Sequence, residues 1–231
     1  YPELCVDQNK EYEEFELTDI QMAYLVGRNT ALKSGGVSTH MYTELITELD
    51  MKKFNVALNK TILRHGMLRA IVYKTGKQII LKDVPEYSIF IEDISDLSEI
   101  EQQDKIVKKR ENLSSHVFDT EKWPLFNFEA FYLGKGKSYL FVEFDQLIAD
   151  GTSIQIITND ILDFYFHPNA TIQNTEITFR DYMETYSLMR TQDKYDEDKR
   201  YWQEKIDIFP EAPMLPIIKE GLQEKKWTFK R

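Results

Sequence analysis

Ser138-Tyr139-Leu140-Phe141-Val142-Glu143-Phe144-Asp145-Gln146-Leu147-Ile148-Ala149-Asp150-Gly151-Thr152-Ser153 is the stretch on which the fold turns. Leu140, Val142 and Phe144 fall on one side of an extended chain, and Tyr139, Phe141, Glu143 and Asp145 on the other. A period of two predicts a strand over 138–145. The pattern then changes. From Asp150 or Thr152 onward, Ile154, Ile157, Ile161 and Phe164 recur at helical spacing until Pro168 stops them. The segment between is a strand-to-helix loop with an aspartate at each end. Loops held between rigid elements commonly carry function.

Working outward, Phe126, Phe128, Ala130 and Tyr132 give a strand over 126–133. The short Gly134–Lys137 connection makes it the antiparallel neighbour of 138–145. Residues 37–47 are β-branched and aromatic and read as another strand, as do 67–74, 77–82 and 88–94. Thr75-Gly76 suits a hairpin turn. Thr18 is a candidate N-cap for a helix ending near Gly27, and Asp50 for one carrying Phe54, Ala57, Leu58, Thr61 and Ile62. Asp96-Leu97-Ser98-Glu99 has capping-box spacing before a charged helix reaching about Val117. Two helices are expected at about 178–190 and 194–207. Pro210, Pro213 and Pro216 then form an extended connector. The fold class is α/β: a mixed, mainly antiparallel sheet packed with helices, with no βαβ run of Rossmann type. Residues 1–208 are expected to form the domain and 209–231 the proline-rich connector.

Composition narrows the chemistry. In 231 residues, 42% hydrophobic and 13% aromatic side chains supply a core. Lys and Arg total 29 against 39 Asp and Glu, a net charge of −10 that disfavours nucleic acid as a partner. No apolar run approaches the ~18 residues of a membrane span, and no signal peptide is visible. Cys5 is the sole cysteine, which excludes an intrachain disulfide and a cysteine metal site. A cytoplasmic location is expected. Opening at Tyr1, the chain is expected to be a piece of something longer.

Phosphate loops, nucleophile elbows and zinc motifs are absent, and no two of His40, His65, His116 and His167 sit at ligand spacing. Asp145 and Asp150 are the candidate acid–base pair. Their spacing equally suits a strand-end turn former at Asp145 and a helix cap at Asp150. Arg64 and Arg69, around the turn Arg64-His65-Gly66-Met67-Leu68-Arg69-Ala70, could hold a buried carboxylate or lie along the surface.

Taken together, these segments resemble the heterocyclisation domains of nonribosomal peptide synthetases, a branch of the condensation domains. The family opens F-P-L-T-x-x-Q-x-A-Y-x-x-G-R. Here it reads Phe15-Glu16-Leu17-Thr18-Asp19-Ile20-Gln21-Met22-Ala23-Tyr24-Leu25-Val26-Gly27-Arg28, with Glu16 in place of proline. R-H-x-M-L-R-A follows at 64–70. D-x-x-x-x-D-x-x-S is met by Asp145, Asp150 and Ser153. Tyr201-Trp202 and the run Phe209 to Ile217 resemble the family's later features.

The resemblance implies the N-terminal lobe, like a chloramphenicol acetyltransferase subunit, of a two-lobed domain with a tunnel between the lobes, residues 209–231 leading toward the C-terminal lobe. Upstream and downstream carrier proteins would present thioesters on phosphopantetheine arms, beside an adenylation domain in cis, with no cofactor or metal bound by the chain itself. The implied reaction joins an acyl or peptidyl group to cysteine, serine or threonine and cyclodehydrates the product to a thiazoline or oxazoline, as in siderophore or antibiotic biosynthesis. Condensation domains carry H-H-x-x-x-D-G where this chain has Asp145 to Gly151. Gln146 replaces the histidine usually given the acid–base role and cannot titrate. Asp145, Asp150 and Ser153 are thus the implied motif-loop site, with Asp145 facing the tunnel and Asp150 buried against Arg64. Arg64 and Arg69 are its supports. Lacking the second lobe, the isolated chain is expected to be inactive. The alternatives are an atypical domain that forms the amide only, or a non-catalytic carrier-docking module.

Overall fold

The computed structural model describes residues 3–4, 6–29, 31, 35–173 and 175–211. In chain order its elements are β1 (Phe15–Glu16), α1 (Asp19–Gly27), β2 (His40–Thr47), α2 (Met51–Arg64), β3 (Ala70–Val72), β4 (Lys77–Ile80), β5 (Phe90–Asp93), α3 (Glu99–Leu113), β6 (Phe126–Gly134), β7 (Lys137–Asp145), α4 (Gly151–Phe166), α5 (Phe179–Met189) and α6 (Asp193–Ile206). The chain divides into two units, Tyr1–Leu188 and Met189–Arg231. In the second, α6 carries i,i+4 pairing of Lys194 with Asp198, and an edge-on contact of Tyr201 with Trp202. Pro213 and Pro216 of the expected connector lie outside the described residues.

The first unit is built on a four-stranded sheet ordered β2-β7-β6-β5, with a small sheet β1-β4-β3 beside it. All pairs are antiparallel except β5 with β6, which the crossover through α3 makes parallel. The β6–β7 turn places Lys135 at φ 54° and Gly136 at φ 76°, the two positive angles that a tight hairpin needs. In the β3–β4 turn, Gly76 has φ +88°, and a Cβ there would lie 2.5 Å from Met22 Cε. Thr18 and Gln21 form a capping box on α1, and Asp50 and Asp150 cap α2 and α4. The box on α3 is made by Ser98 with Glu101, two residues beyond the expected start, and α3 ends at Leu113. Residues 66–69 are a tight 3-10 turn rather than strand. Arg69 explains it: Nη1 donates to the Ile62 and Leu63 carbonyls at 3.2 and 2.6 Å, and Nε to Leu81 O at 3.1 Å. Closing the end of α2 in this way leaves no room for extended chain.

The two sheet faces differ in chemistry. Leu140, Val142, Phe144, Phe126 and Phe128 meet Phe54, Leu58 and Ile62 of α2 and Ile154, Ile157 and Ile161 of α4 in the main core. On the other face, Phe131 and Phe141 pack with Ile106 and Leu113 of α3. Around that smaller cluster each strand offers a carboxylate to a basic side chain on α3 or just past it. Glu92 pairs with Lys105, Glu129 with Lys109 at 2.6 Å, Glu44 with Arg110 at 2.5 Å, and Glu143 with His116 at 3.3 Å.

Two of these carboxylates stand in opposite electrostatic states. Glu44 accepts from Arg110 Nε and Nη2, Tyr139 Oη and Tyr42 Oη. The guanidinium above all, helped by the hydroxyls and opposed by burial, brings its pKa from an ordinary 4.5 to about 2. Glu143 is fully buried, and burial raises its pKa despite Asn127 and His116. The lowered Glu44 value means a contribution to stability that is full above pH 4.5 and lost as the pH falls toward 2. Glu44→Gln should therefore flatten thermal stability across that window and cost on the order of 2 kcal/mol at neutral pH. The raised Glu143 value has the opposite sign, so Glu143→Gln should raise the melting temperature at pH 7. Melting curves from pH 2 to 7 check both.

Candidate functional site

The loop 146–150 begins where β7 ends. Asp145 is fully buried. Its Oδ1 and Oδ2 each lie 2.6 Å from Arg28 Nη2. Oδ1 accepts from Leu147 N at 2.9 Å, and Oδ2 from Ser38 Oγ at 3.5 Å. The backbone is tied as firmly, Asp145 N to Leu125 O and Gln146 N to Thr39 O. Leu147, Ile148 and Ala149 are then sunk into the main core. The loop reaches solvent at Asp150, whose carboxylate accepts from Ser153 N at 2.8 Å and Ser153 Oγ at 2.7 Å. The Ser153 hydroxyl first, then its amide, hold the Asp150 carboxyl below the usual carboxylate range.

This arrangement corrects two expectations. Asp150 is exposed and caps α4 rather than being buried against Arg64, because the apolar run 147–149 fills the core and lifts its end outward. Asp145 is the buried partner of an arginine, and that arginine is Arg28. The Nε of Arg64 lies instead 3.2 Å from Asp160 Oδ2 of α4, which also meets His65 Nε2 at 2.6 Å. Arg69 closes the end of α2 and does not reach the loop. Sequence reading missed Arg28, although it closes the first motif and follows the last residue of α1.

Asp150, Ser153, Gln146, Arg64, His65 and Tyr24 share the lining of a cleft of about 1190 Å³. An ionised carboxylate with a depressed pKa is a poor proton acceptor near neutrality but a good acceptor of a hydrogen bond from an N–H donor. Asp150 therefore suits holding a nitrogen in place more than deprotonating it. Among the described residues no group of three His, Cys, Asp or Glu could hold a metal, and no helix is long and apolar enough to cross a membrane.

The two aspartates should respond differently to the same change. Asp145→Asn removes the charge facing a guanidinium whose side chain is only 8% exposed. It should cost roughly 3–5 kcal/mol, the scale for breaking one side of a buried pair. Asp150→Asn should melt close to the parent, since asparagine caps a helix as well as aspartate, whereas Asp150→Ala should cost about 1 kcal/mol. Thermal unfolding of the three variants decides. Equal losses for both asparagine changes would mean that Asp145 and Arg28 are not a coupled buried pair.

The chain matches the family described as Condensation domain over residues 11–231. Bacitracin synthase 1 of Bacillus licheniformis is 35% identical over 227 residues, 98% of this chain and 4% of that protein. Pyochelin synthetase PchF of Pseudomonas aeruginosa (strain UCBPP-PA14) is 28% identical over 208 residues, 89% of this chain and 11% of that one. Among solved structures, the EpoB NRPS cyclization-docking bidomain from Sorangium cellulosum superposes with a TM-score of 0.86 at 30% identity, over 92% of this chain and 43% of that chain. The chain thus spans a small fraction of the synthetases it matches and less than half of the bidomain. With a family match running through almost its whole length, and with the α/β architecture and motif loop described above, this chain belongs to the condensation-domain family.

Proposed function

We propose that the chain is one lobe of a heterocyclisation domain in a nonribosomal peptide synthetase, working in the cytoplasm with an adenylation domain in cis. Its substrates are thioesters presented on the phosphopantetheine arms of an upstream and a downstream carrier protein. The observation that carries this reading is the loop itself. Gln146 stands where a condensation domain has its acid–base histidine, and the titratable group the loop turns into the cleft is Asp150. The similarity to a cyclization bidomain supports the same reading.

The reaction has two stages. The downstream amine nitrogen attacks the upstream thioester carbonyl; the C–N bond forms, the C–S bond breaks, and the thiol leaves with the amine's proton. The cysteine, serine or threonine side chain then attacks the new amide carbonyl, and the carbonyl oxygen takes up a proton. Loss of that hydroxyl with the nitrogen's hydrogen releases water and leaves the C=N bond of the ring. Asp150 accepts a hydrogen bond from the reacting nitrogen. Ser153 Oγ donates to Asp150 and holds it in position. Asp145, paired with Arg28, keeps the loop from moving, and Arg64 and Arg69 brace the cleft wall through Asp160 and the end of α2.

The test is product mass in the synthetase module that contains this chain, with cysteine, serine and threonine supplied in turn. Each ring should make the product lighter by one water than the open amide. Open amide alone would replace this reading with amide-only condensation, and no product at all would favour carrier docking. Asp150→Asn should slow turnover about 10-fold, the loss of one charge-assisted hydrogen bond of roughly 1.5 kcal/mol.

A further inference from the structure

Two carboxamides lie buried between the motif loop and the small sheet. Gln21, in the first turn of α1, is 6% exposed, and Gln78 of β4 is 0% exposed. They face each other reciprocally: Gln21 Nε2 donates to Gln78 Oε1 at 3.0 Å, and Gln78 Nε2 donates to Gln21 Oε1 at 3.1 Å. Each has one further amide hydrogen. That of Gln21 goes to the Leu147 carbonyl at 2.7 Å, and that of Gln78 to the Glu16 carbonyl at 3.0 Å. Gln21 Oε1 also accepts from Thr18 N at 2.9 Å, which completes the cap of α1. Both donors and the oxygen of each amide are used. Turning either amide over would set oxygen against oxygen, so the network admits one orientation.

Leu147 is the middle of the Asp145-to-Asp150 loop. Its N–H, like that of Ile148, is held by Asp145. Its carbonyl is reached from a different element, α1, through a residue that β4 orients. Besides the backbone bond of Gln146 N to Thr39 O, side chains therefore fix the loop at its root, where Arg28 holds Asp145, and at its centre, where Gln21 holds Leu147.

We propose that Gln21 and Gln78 are positioning residues for the motif loop, setting where Asp150 and Ser153 stand in the cleft. Gln21 makes the contact, and Gln78 holds Gln21 in the orientation that makes it. This inference rests on the reading of that loop as the reaction site. Only Ile148 and Ala149 separate the bonded carbonyl from Asp150, so a displacement at Leu147 is carried to the carboxylate.

Removing both amides together separates positioning from folding. In Gln21→Leu/Gln78→Leu, apolar groups replace both members of the carboxamide pair, so neither glutamine is stranded, while the Leu147 and Glu16 carbonyls and the Thr18 N–H lose their side-chain partners. In the full chain, exchange of the Leu147 and Ile148 amides should rise about ten-fold while amides of β6 and β7 keep parental rates. In the synthetase module, kcat should fall on the order of ten- to a hundred-fold with KM for the carrier-bound substrates unchanged. Gln78→Leu alone removes the group that orients Gln21 and should lower kcat part of the way toward the double variant. Exchange that rises everywhere together, or loop-selective exchange with parental kcat, would overturn the proposal. Should the double variant not fold, Gln21→Met, of similar length and apolar, takes its place in the same comparison. A parent module that forms neither amide nor ring would defeat the reading of the site, and the exchange data would still judge the loop contact.

Discussion

The structure depends on one pair of opposite charges withdrawn from water. Asp145 is fully buried and Arg28 nearly so, the two standing 117 positions apart in sequence. Apart from this contact, Nε and Nη1 of Arg28 have no hydrogen-bond partner among the described residues, so Asp145 is what balances its charge. Placing both ions in the interior is costly, and good geometry offsets that cost only if neither partner moves. The pair thus sets a condition on its surroundings. The end of α1, the chain just before β2 at Ser38 and Thr39, and the end of β7 must meet at one point. The loop that displays Asp150 to the cleft starts from that fixed point.

The far side of the sheet carries carboxylates as well, three of them partly exposed and Glu143 fully buried. There the carboxylates of Glu92, Glu129, Glu44 and Glu143 stand in four different strands and answer to one helix and the turn after it. Lys105 and Lys109 are one helical turn apart, matching the advance from one strand to the next. The helix is thereby indexed on the sheet. Only Ile106 and Leu113 on α3 are buried, so apolar contact alone would leave its rotation poorly defined.

Much of this was legible in the chain itself. Alternation in 138–145 gave both sheet faces correctly, and Thr18, Asp50 and Asp150 each cap the helix expected of them, because these are local matters of spacing and side-chain reach. The turn-former reading of Asp145 also holds, in its bond to Leu147 N. What was not legible was which arginine meets which aspartate. Arg28, Arg64 and Arg69 are equivalent as sequence, and only the three-dimensional path of the chain allots them to Asp145, to Asp160 and to the end of α2. One clue was present. Leu147, Ile148 and Ala149 form an apolar run that has to enter the core, which leaves Asp150 as the end of the loop able to reach water. Gln78 gave no signal, since a glutamine in an amphipathic strand reads as surface until its partner is known.

The pairing of β2 with β7 bears on how the molecule comes into being. His40 lies opposite Asp145 and Thr47 opposite Ser138, whereas β6 and β7 are joined by a turn of two residues. The hairpin closes locally and early. The edge strand has to wait for a partner roughly a hundred residues later in the chain, the kind of distant contact that slows folding. On the ribosome β2 emerges first and remains unpaired until β7 has been made, with its backbone N–H and C=O groups open in the meantime. The sheet that carries the site is therefore completed from its latest strand back to one of its earliest, and the charge pair at its end closes only with that last step.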